Sequence, residues 1–340
     1  MLPFVWSDDC LRHEPGAEVW VGVRTPATEV PARALAIRDA LVAAGAREVA
    51  ATPHDDSALL AAHDPALVEF LRTAWDDWAA ADLPSDRVVP YVFARSELTS
   101  GRAPATPIAV WARPGLFAYD TMTLVGPGTW EAARAAVDVA LTAVDLVAGG
   151  DPFAYACCRP PGHHVTRSLY GGSCYLNNTA VAAAALLARL DGPIAVVDID
   201  AHHGNGTQEL FLGRSDVLTA SVHVDPGAGW FPHFLGFAAE SGDANLNLPL
   251  APGTGDDGWL AAVAEAARFA ASARALVVAL GVDAAAGDPE SPLEVTAAGY
   301  REAGRILGGL GLPTVVVQEG GYDLETIGPL VVETLHGLAR

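Results

Sequence analysis

Two short runs constrain the fold of this chain more than any other feature: IAVVDID at Ile194–Asp200 and ALVVALGV at Ala275–Val282. Each is apolar and β-branched with almost no polar alternation, the pattern of a strand buried on both faces of a sheet. Phe153–Cys158, Val217–Val224 and Thr314–Gln318 read the same way. Between them lie longer Ala/Leu-rich segments of helical period, Asn178–Leu190, Asp256–Ala273, Thr296–Leu310 and Leu324–Leu338. This alternation predicts an α/β fold, an open and mostly parallel sheet with helices on both faces. Over residues 1–150 we read helices at Pro31–Ala44 and Pro65–Ala81 and a short strand at Glu48–Ala51. A further helix is read at Thr129–Val147, with Thr129 as its N-cap. Asp82–Gly115 has scattered prolines and no period, so it reads as a loop insertion. No linker divides the chain, and residues 1–340 are expected to form one domain.

The net charge is −21, and all 20 basic residues are arginine. A negative field of that size repels phosphate backbones and attracts cations, which argues against nucleic acid and for a cationic small molecule. The four cysteines form no CxxC pair, and Cys157 and Cys158 sit in an apolar run as expected buried thiols. The N-terminal residues lack the pattern of a signal peptide, and no apolar run is fit to span a bilayer. The expected setting is cytoplasmic, with no membrane partner.

Polar residues gather directly after the predicted strands. RPPGHH, with His163 and His164, follows the first; Asp198, Asp200, His202, His203 and Asn205 lie at the end of the second. Asp283 follows Ala275–Val282, and EGGY, with Tyr322, follows Thr314–Gln318. In open α/β sheets, sites form outside the carboxyl ends of strands, so four such ends imply one pocket. Extended residues at i, i+2 and i+4 point the same way, which would project Asp198, Asp200 and His202 together. Two carboxylates and an imidazole suit a divalent metal, although an Asp pair at a strand end also serves as a plain hydrogen-bonding arrangement. Adjacent histidines beside a metal can take a proton from water and give one to a leaving amine. His203 reads as a solvated loop residue, and Tyr322 as either an oxyanion donor or a packed loop tyrosine.

Together these residues resemble the histone deacetylase and acetylpolyamine amidohydrolase family, which has an arginase-like α/β fold. The stretches that carry the resemblance are RPPGHH, GGSCYLNN, VDIDAHHGNGTQELF, GVDAAAGDP and EGGY, in the family's order. HEPGAE, FAYDTMTLVGPGTWEAA and DPGAGWFPHFLG look like the acetylpolyamine branch. The resemblance implies a zinc-dependent deacetylase with Asp200, His202 and Asp283 as ligands, a set that Fe²⁺ or Co²⁺ also suits. It implies His163 as general base, His164 as general acid, Asp198 as the partner of His163, and Tyr322 polarising the acetyl carbonyl. Asn205 stands where some members have Asp, and a neutral partner holds His164 less cationic than a carboxylate would. A structural potassium is implied at Asp198, Asp200, His202, Ser221 and Val222, and a homodimer through the insertion. Many relatives have an aromatic residue at Ser173, opposite the wall matching Phe231, so the grip on a linear chain is loosened here. Glu290 reads as either a carboxylate attracting a distal ammonium or a solvated loop residue. The implied substrate is a small cationic acetylated amine. A protein acetyl-lysine deacetylase and an amidohydrolase of secondary metabolism are the nearest rivals. A two-metal arginase and a non-catalytic module fit less well, since one well-placed Asp follows Val282 and no expected ligand is missing.

Overall fold

The computed structural model describes residues 2–339. Its strands are β1 (Pro3–Trp6), β2 (Glu18–Trp20), β3 (Val23–Thr25), β4 (Arg47–Ala50), β5 (Phe153–Ala156), β6 (Ile194–Asp198), β7 (Val217–Val224), β8 (Asn245–Leu250), β9 (Ala275–Leu280) and β10 (Thr314–Gln318). Eight of them form one sheet in the order β4-β1-β5-β10-β9-β6-β7-β8, with every described pairing parallel. β2 and β3 make a separate antiparallel hairpin.

Alternate residues of each central strand enter opposite cores. Val196, Val277, Val315 and Val317 face one core with the helices Pro65–Ala80, Thr129–Ala148 and Asn178–Leu187. Ala195, Val197, Leu276, Val278 and Val316 face the other, with the helices Pro31–Ala43, Asp256–Ala270, Ala297–Gly308 and Ile327–Leu338. Burial on both faces is what the unbroken apolar runs require, and the expected architecture is borne out.

The departures are local. The predicted strand Ile194–Asp200 ends at Asp198, because the chain turns there and Asp198 itself accepts the amide of Asp200 at 3.1 Å. Asp200 and His202 therefore stand in the following loop rather than on the pleat. Thr129 is the first helical residue and not the cap, which is Gly128 at φ +77°. A Cβ on Gly128 would lie 2.3 Å from the Arg12 carbonyl. The Thr129 hydroxyl instead accepts the Gly126 amide at 2.9 Å. β1 and β8 were not anticipated: PFVW is four residues long, and NLNLPL carries two polar residues and a proline that only an edge strand tolerates. Residues 82–109 carry no helix or strand, and the short helix Pro114–Phe117 follows.

Candidate active site

The loops after β5, β6, β9 and β10 converge because these four strands are neighbours in the sheet. Asp200, His202 and Asp283 each offer a ligand atom within 4.8 Å of the others. His202 Nδ1 lies 3.3 Å from Asp200 Oδ1 and 3.1 Å from Asp283 Oδ2. The remaining carboxylate oxygens are held by backbone amides: Gly320 donates to Asp200 Oδ2 at 2.7 Å and Ala201 to Asp283 Oδ1 at 2.8 Å. A Cβ on Gly320 would stand 2.4 Å from Asp283 Oδ2 and 2.5 Å from Asp200 Oδ2, so this position must be small for the carboxylates to approach.

This donor set fits a divalent metal. Burial and the neighbouring Asp200 push the Asp283 carboxyl up to about 7. Burial opposes a charge on His202, yet Asp200 and Asp283 outweigh it and hold its proton well above the usual imidazole range. A site that draws protons onto its own donors is one in which a dication can replace them.

The two adjacent histidines have unlike partners. His163 Nδ1 meets Asp198 Oδ2 at 2.8 Å, and His164 Nδ1 meets Asn205 Oδ1 at 2.7 Å. The rings lie 4.0 Å apart, and both are almost fully buried. Burial lowers both, but Asp198 and Asp200 overcome it at His163 and push it up to about 10. At His164, burial acts together with the charges of His163 and His202 and drives it well below its usual value. With an amide oxygen as partner, His164 donates from Nδ1 and leaves Nε2 without a proton.

Tyr322 lines a cleft of about 610 Å³ together with His164, His202, Ser173, Phe231 and Glu290. Phe231 stands edge-on to His164 at 4.8 Å and forms one wall. Ser173 forms part of another wall and holds φ +60°, its amide donating to Thr123 Oγ1 at 2.8 Å. Of the residues that the resemblance assigns to potassium, Asp198 and Ser221 are register partners and line a cavity of about 10 Å³, room for one water. Val222 is buried beside them. His203 is buried, not solvated: its Nε2 meets Gln208 Oε1 and Asn247 Oδ1, each at 3.1 Å, because the loop folds inward against β8.

Several residues take places at the site that the sequence does not assign to them. Asp288 accepts the Tyr322 amide at 2.8 Å, and the Arg33 guanidinium stacks 4.6 Å from the Tyr322 ring. Arg33 also donates to the carbonyls of Gly321 and Glu319. Nothing near Arg33 in sequence signals a contact almost 300 positions away. Glu18 shares the cleft with Glu290; burial and the Glu290 charge push its carboxyl up to about 7. Glu319, the first residue of EGGY, accepts from the RPPGHH loop, and its place within that motif is the available signal.

The histone deacetylase domain matches residues 27–338 of this chain. The chain belongs to the histone deacetylase family. Within it, this member is 38% identical to the acetylpolyamine amidohydrolase of Mycoplana ramosa over 343 residues, covering 98% of this chain and 99% of the relative. It is 40% identical to acetylpolyamine amidohydrolase 1 of Pseudomonas aeruginosa over 342 residues, covering 98% and 97%. The crystal structure of the acetylpolyamine aminohydrolase from Burkholderia pseudomallei superposes with a TM-score of 0.93 at 35% identity, over 100% of this chain and 99% of that one. The family, its arginase-like fold and its deacetylase chemistry, expected from the motifs, are thus borne out, and the enzyme is a metal-dependent hydrolase. Among the described residues no helix is long and apolar enough to cross a membrane. All four cysteines are buried and unpaired.

Proposed function

We propose that this deacetylase is a zinc amidohydrolase that removes the acetyl group from N-acetylated polyamines or similar small amines, with residues 1–340 acting as one domain. The observation that carries the reading is the convergence of a two-carboxylate, one-imidazole donor set with two buried histidines and a tyrosine at one cleft. The names of its full-length relatives support the substrate class.

Asp200, His202 and Asp283 would hold the zinc, which when bound supplies Lewis acidity toward the acetyl carbonyl. Tyr322 donates its hydroxyl proton in a hydrogen bond to the carbonyl oxygen as negative charge develops there. The histidine pair handles the water proton: one ring takes it as the new C–O bond forms, and a proton passes to the nitrogen as the C–N bond breaks, releasing acetate and amine. The unlike partners favour a particular order. Neutral His164, with a bare Nε2 and an amide partner, is the ring ready to accept. His163, on a carboxylate, is the ring that retains a proton to give. A dication held by Asp200, His202 and Asp283 would offset much of the push from Asp200, but the difference between Asp198 and Asn205 would remain. This inverts the base and acid roles expected from the resemblance.

Glu290 and the partly ionised Glu18 place negative charge in the cleft, which suits a substrate with a distal ammonium. The small cavity beside Asp198 and Ser221 supports a structural potassium there. The absence of disulfides among the described residues accords with a cytoplasmic setting. The test is acetate release by the zinc-loaded enzyme from N-acetylputrescine, N-acetylcadaverine, acetylspermidine and an acetyl-lysine peptide, with Asp200→Ala as control. Preference for the acetylated diamines is expected; preference for the peptide would make the enzyme a protein deacetylase.

A further inference from the structure

Glu319 is a fully buried carboxylate that belongs neither to the ligand set nor to the proton relay. Its Oε2 accepts the amides of Gly162 at 2.6 Å and His163 at 3.1 Å, and its Oε1 accepts the Thr179 hydroxyl at 2.6 Å. Its own carbonyl accepts from Arg33 Nη2 at 2.7 Å, and the next residue, Gly320, donates to Asp200 Oδ2. A buried carboxylate is tolerated only when its oxygens are satisfied, and here three donors satisfy them. An apolar side chain in its place would leave two consecutive buried amides without an acceptor, and the loop that carries them would have to move.

We propose that Glu319 is a positioning residue for His163. It fixes the backbone of the residue whose ring carries the proton, so that the ring stands on Asp198 rather than elsewhere in the pocket. It does so from the start of the turn that presents Tyr322. One carboxylate thereby sets the separation between the histidine loop after β5 and the tyrosine loop after β10, while touching no substrate. The role is one of acceptor geometry, not of charge. Glutamine therefore serves in its place, its carbonyl oxygen taking both amides and its NH₂ meeting the Thr179 oxygen. The inference rests on the amidohydrolase reading for its kinetic consequence only, since the placement of His163 can be observed without substrate.

Crystal structures, metal content, kcat and KM of Glu319→Ala, Glu319→Gln and Glu319→Asp test it. In Glu319→Ala the 2.8 Å contact between His163 and Asp198 is lost. Its kcat falls roughly 10²-fold, the cost of a misplacement near 1 Å, while KM moves less than about threefold and the metal stays at wild-type stoichiometry. Glu319→Gln recovers the contact and most of kcat. Glu319→Asp keeps the charge but withdraws the oxygens, and it loses about tenfold in kcat; it decides the matter if the alanine variant does not fold. A His163–Asp198 contact that survives in Glu319→Ala or Glu319→Asp with kcat unchanged would overturn the proposal. So would a loss of rate that only follows lost metal, or a glutamine variant no better than alanine. A wild-type enzyme inert on every acetylated amine would instead sink the functional reading and leave the structural comparison to be judged by itself.

Discussion

Tyr322 is held from two sides, its amide on Asp288 and its ring under Arg33, and it lines the cleft shared with His164 and His202. Burial, which outweighs the nearby Arg33, keeps the phenol proton on well above its usual range, so at neutral pH it is a donor. Tyr322→Phe removes that donor while leaving ring, stacking and ligands in place. A fall of roughly 10²–10³-fold in kcat with unchanged zinc stoichiometry is expected, and near-normal kcat would remove Tyr322 from the chemistry. The order of proton transfer is open to a substitution as well. In Asn205→Asp a carboxylate replaces the amide beside His164 and stabilises its charged form, raising its pKa by one unit or more, on the order seen for close charge pairs. If His164 is the base, the ring must be neutral to act, so the acidic limb of the kcat/KM profile moves to higher pH. Movement of the alkaline limb instead would return His164 to the role of acid and His163 to that of base.

At the scale of elements, the site is a set of loops pinned to one another as much as to the sheet. His63, at the end of the helix Ser57–Ala62, is one such pin. Its Nδ1 lies 3.1 Å from the Thr166 carbonyl, so it donates there, and its Nε2 accepts the Asn177 amide at 2.9 Å. A ring that donates from one nitrogen and accepts at the other must be neutral. Burial accordingly pulls His63 down to about 4. The unfolded chain binds this proton from about pH 6.5 while the folded one resists it. Stability is therefore complete above 6.5 and is lost as pH falls toward 4. Between pH 6.5 and 5 the loss from this group approaches about 2 kcal/mol, readable as a falling urea midpoint whose pH dependence is reduced in His63→Gln; a midpoint equally pH-dependent in both would show that other groups carry the effect. Contacts of this kind explain what could be read in the sequence. The β-branched runs and the motifs at their ends announce the sheet, the cleft and the cluster of Asp200, His202 and Asp283, because burial and chemistry act there on neighbouring positions. His63 with Asn177, Arg33 with Gly321 and Glu18 with Glu290 join residues more than 100 positions apart. The residues can be seen in the sequence, but which one meets which exists only once the chain is folded. The Asp-x-Asp-x-His segment shows the converse. Asp200 and His202 do come together, but through a turn with its own hydrogen bonds and not through the alternation of a strand, while Asp198 turns to His163 instead.

At the scale of the molecule, the insertion stands apart from the two cores in one respect: it exposes apolar side chains. Ile108 is 94% exposed, Tyr91 71% and Leu98 66%, and the nearby hairpin adds Trp20 and Val21. A cleft of about 480 Å³ between the hairpin and the loop of Phe231 is lined by Trp20, Val21 and Phe234, and the insertion contributes Arg95 to it. A charge of −21 keeps like molecules apart, so a surface that overcomes this repulsion must bury apolar area of its own. Contiguous exposed apolar patches on a soluble enzyme mark association sites. We propose a homodimer formed through the insertion, which would crowd the cleft mouth and admit small amines more readily than protein chains. Sedimentation velocity at micromolar concentration is expected to give a dimer for the wild type. Ile108→Asp, a substitution remote from the ligand cluster, is expected to give a monomer that hydrolyses an acetyl-lysine peptide better than the wild type does. A wild type that sediments as a monomer would remove the dimer, and with it the steric reason for preferring small substrates. Selectivity would then rest on the carboxylates of the cleft.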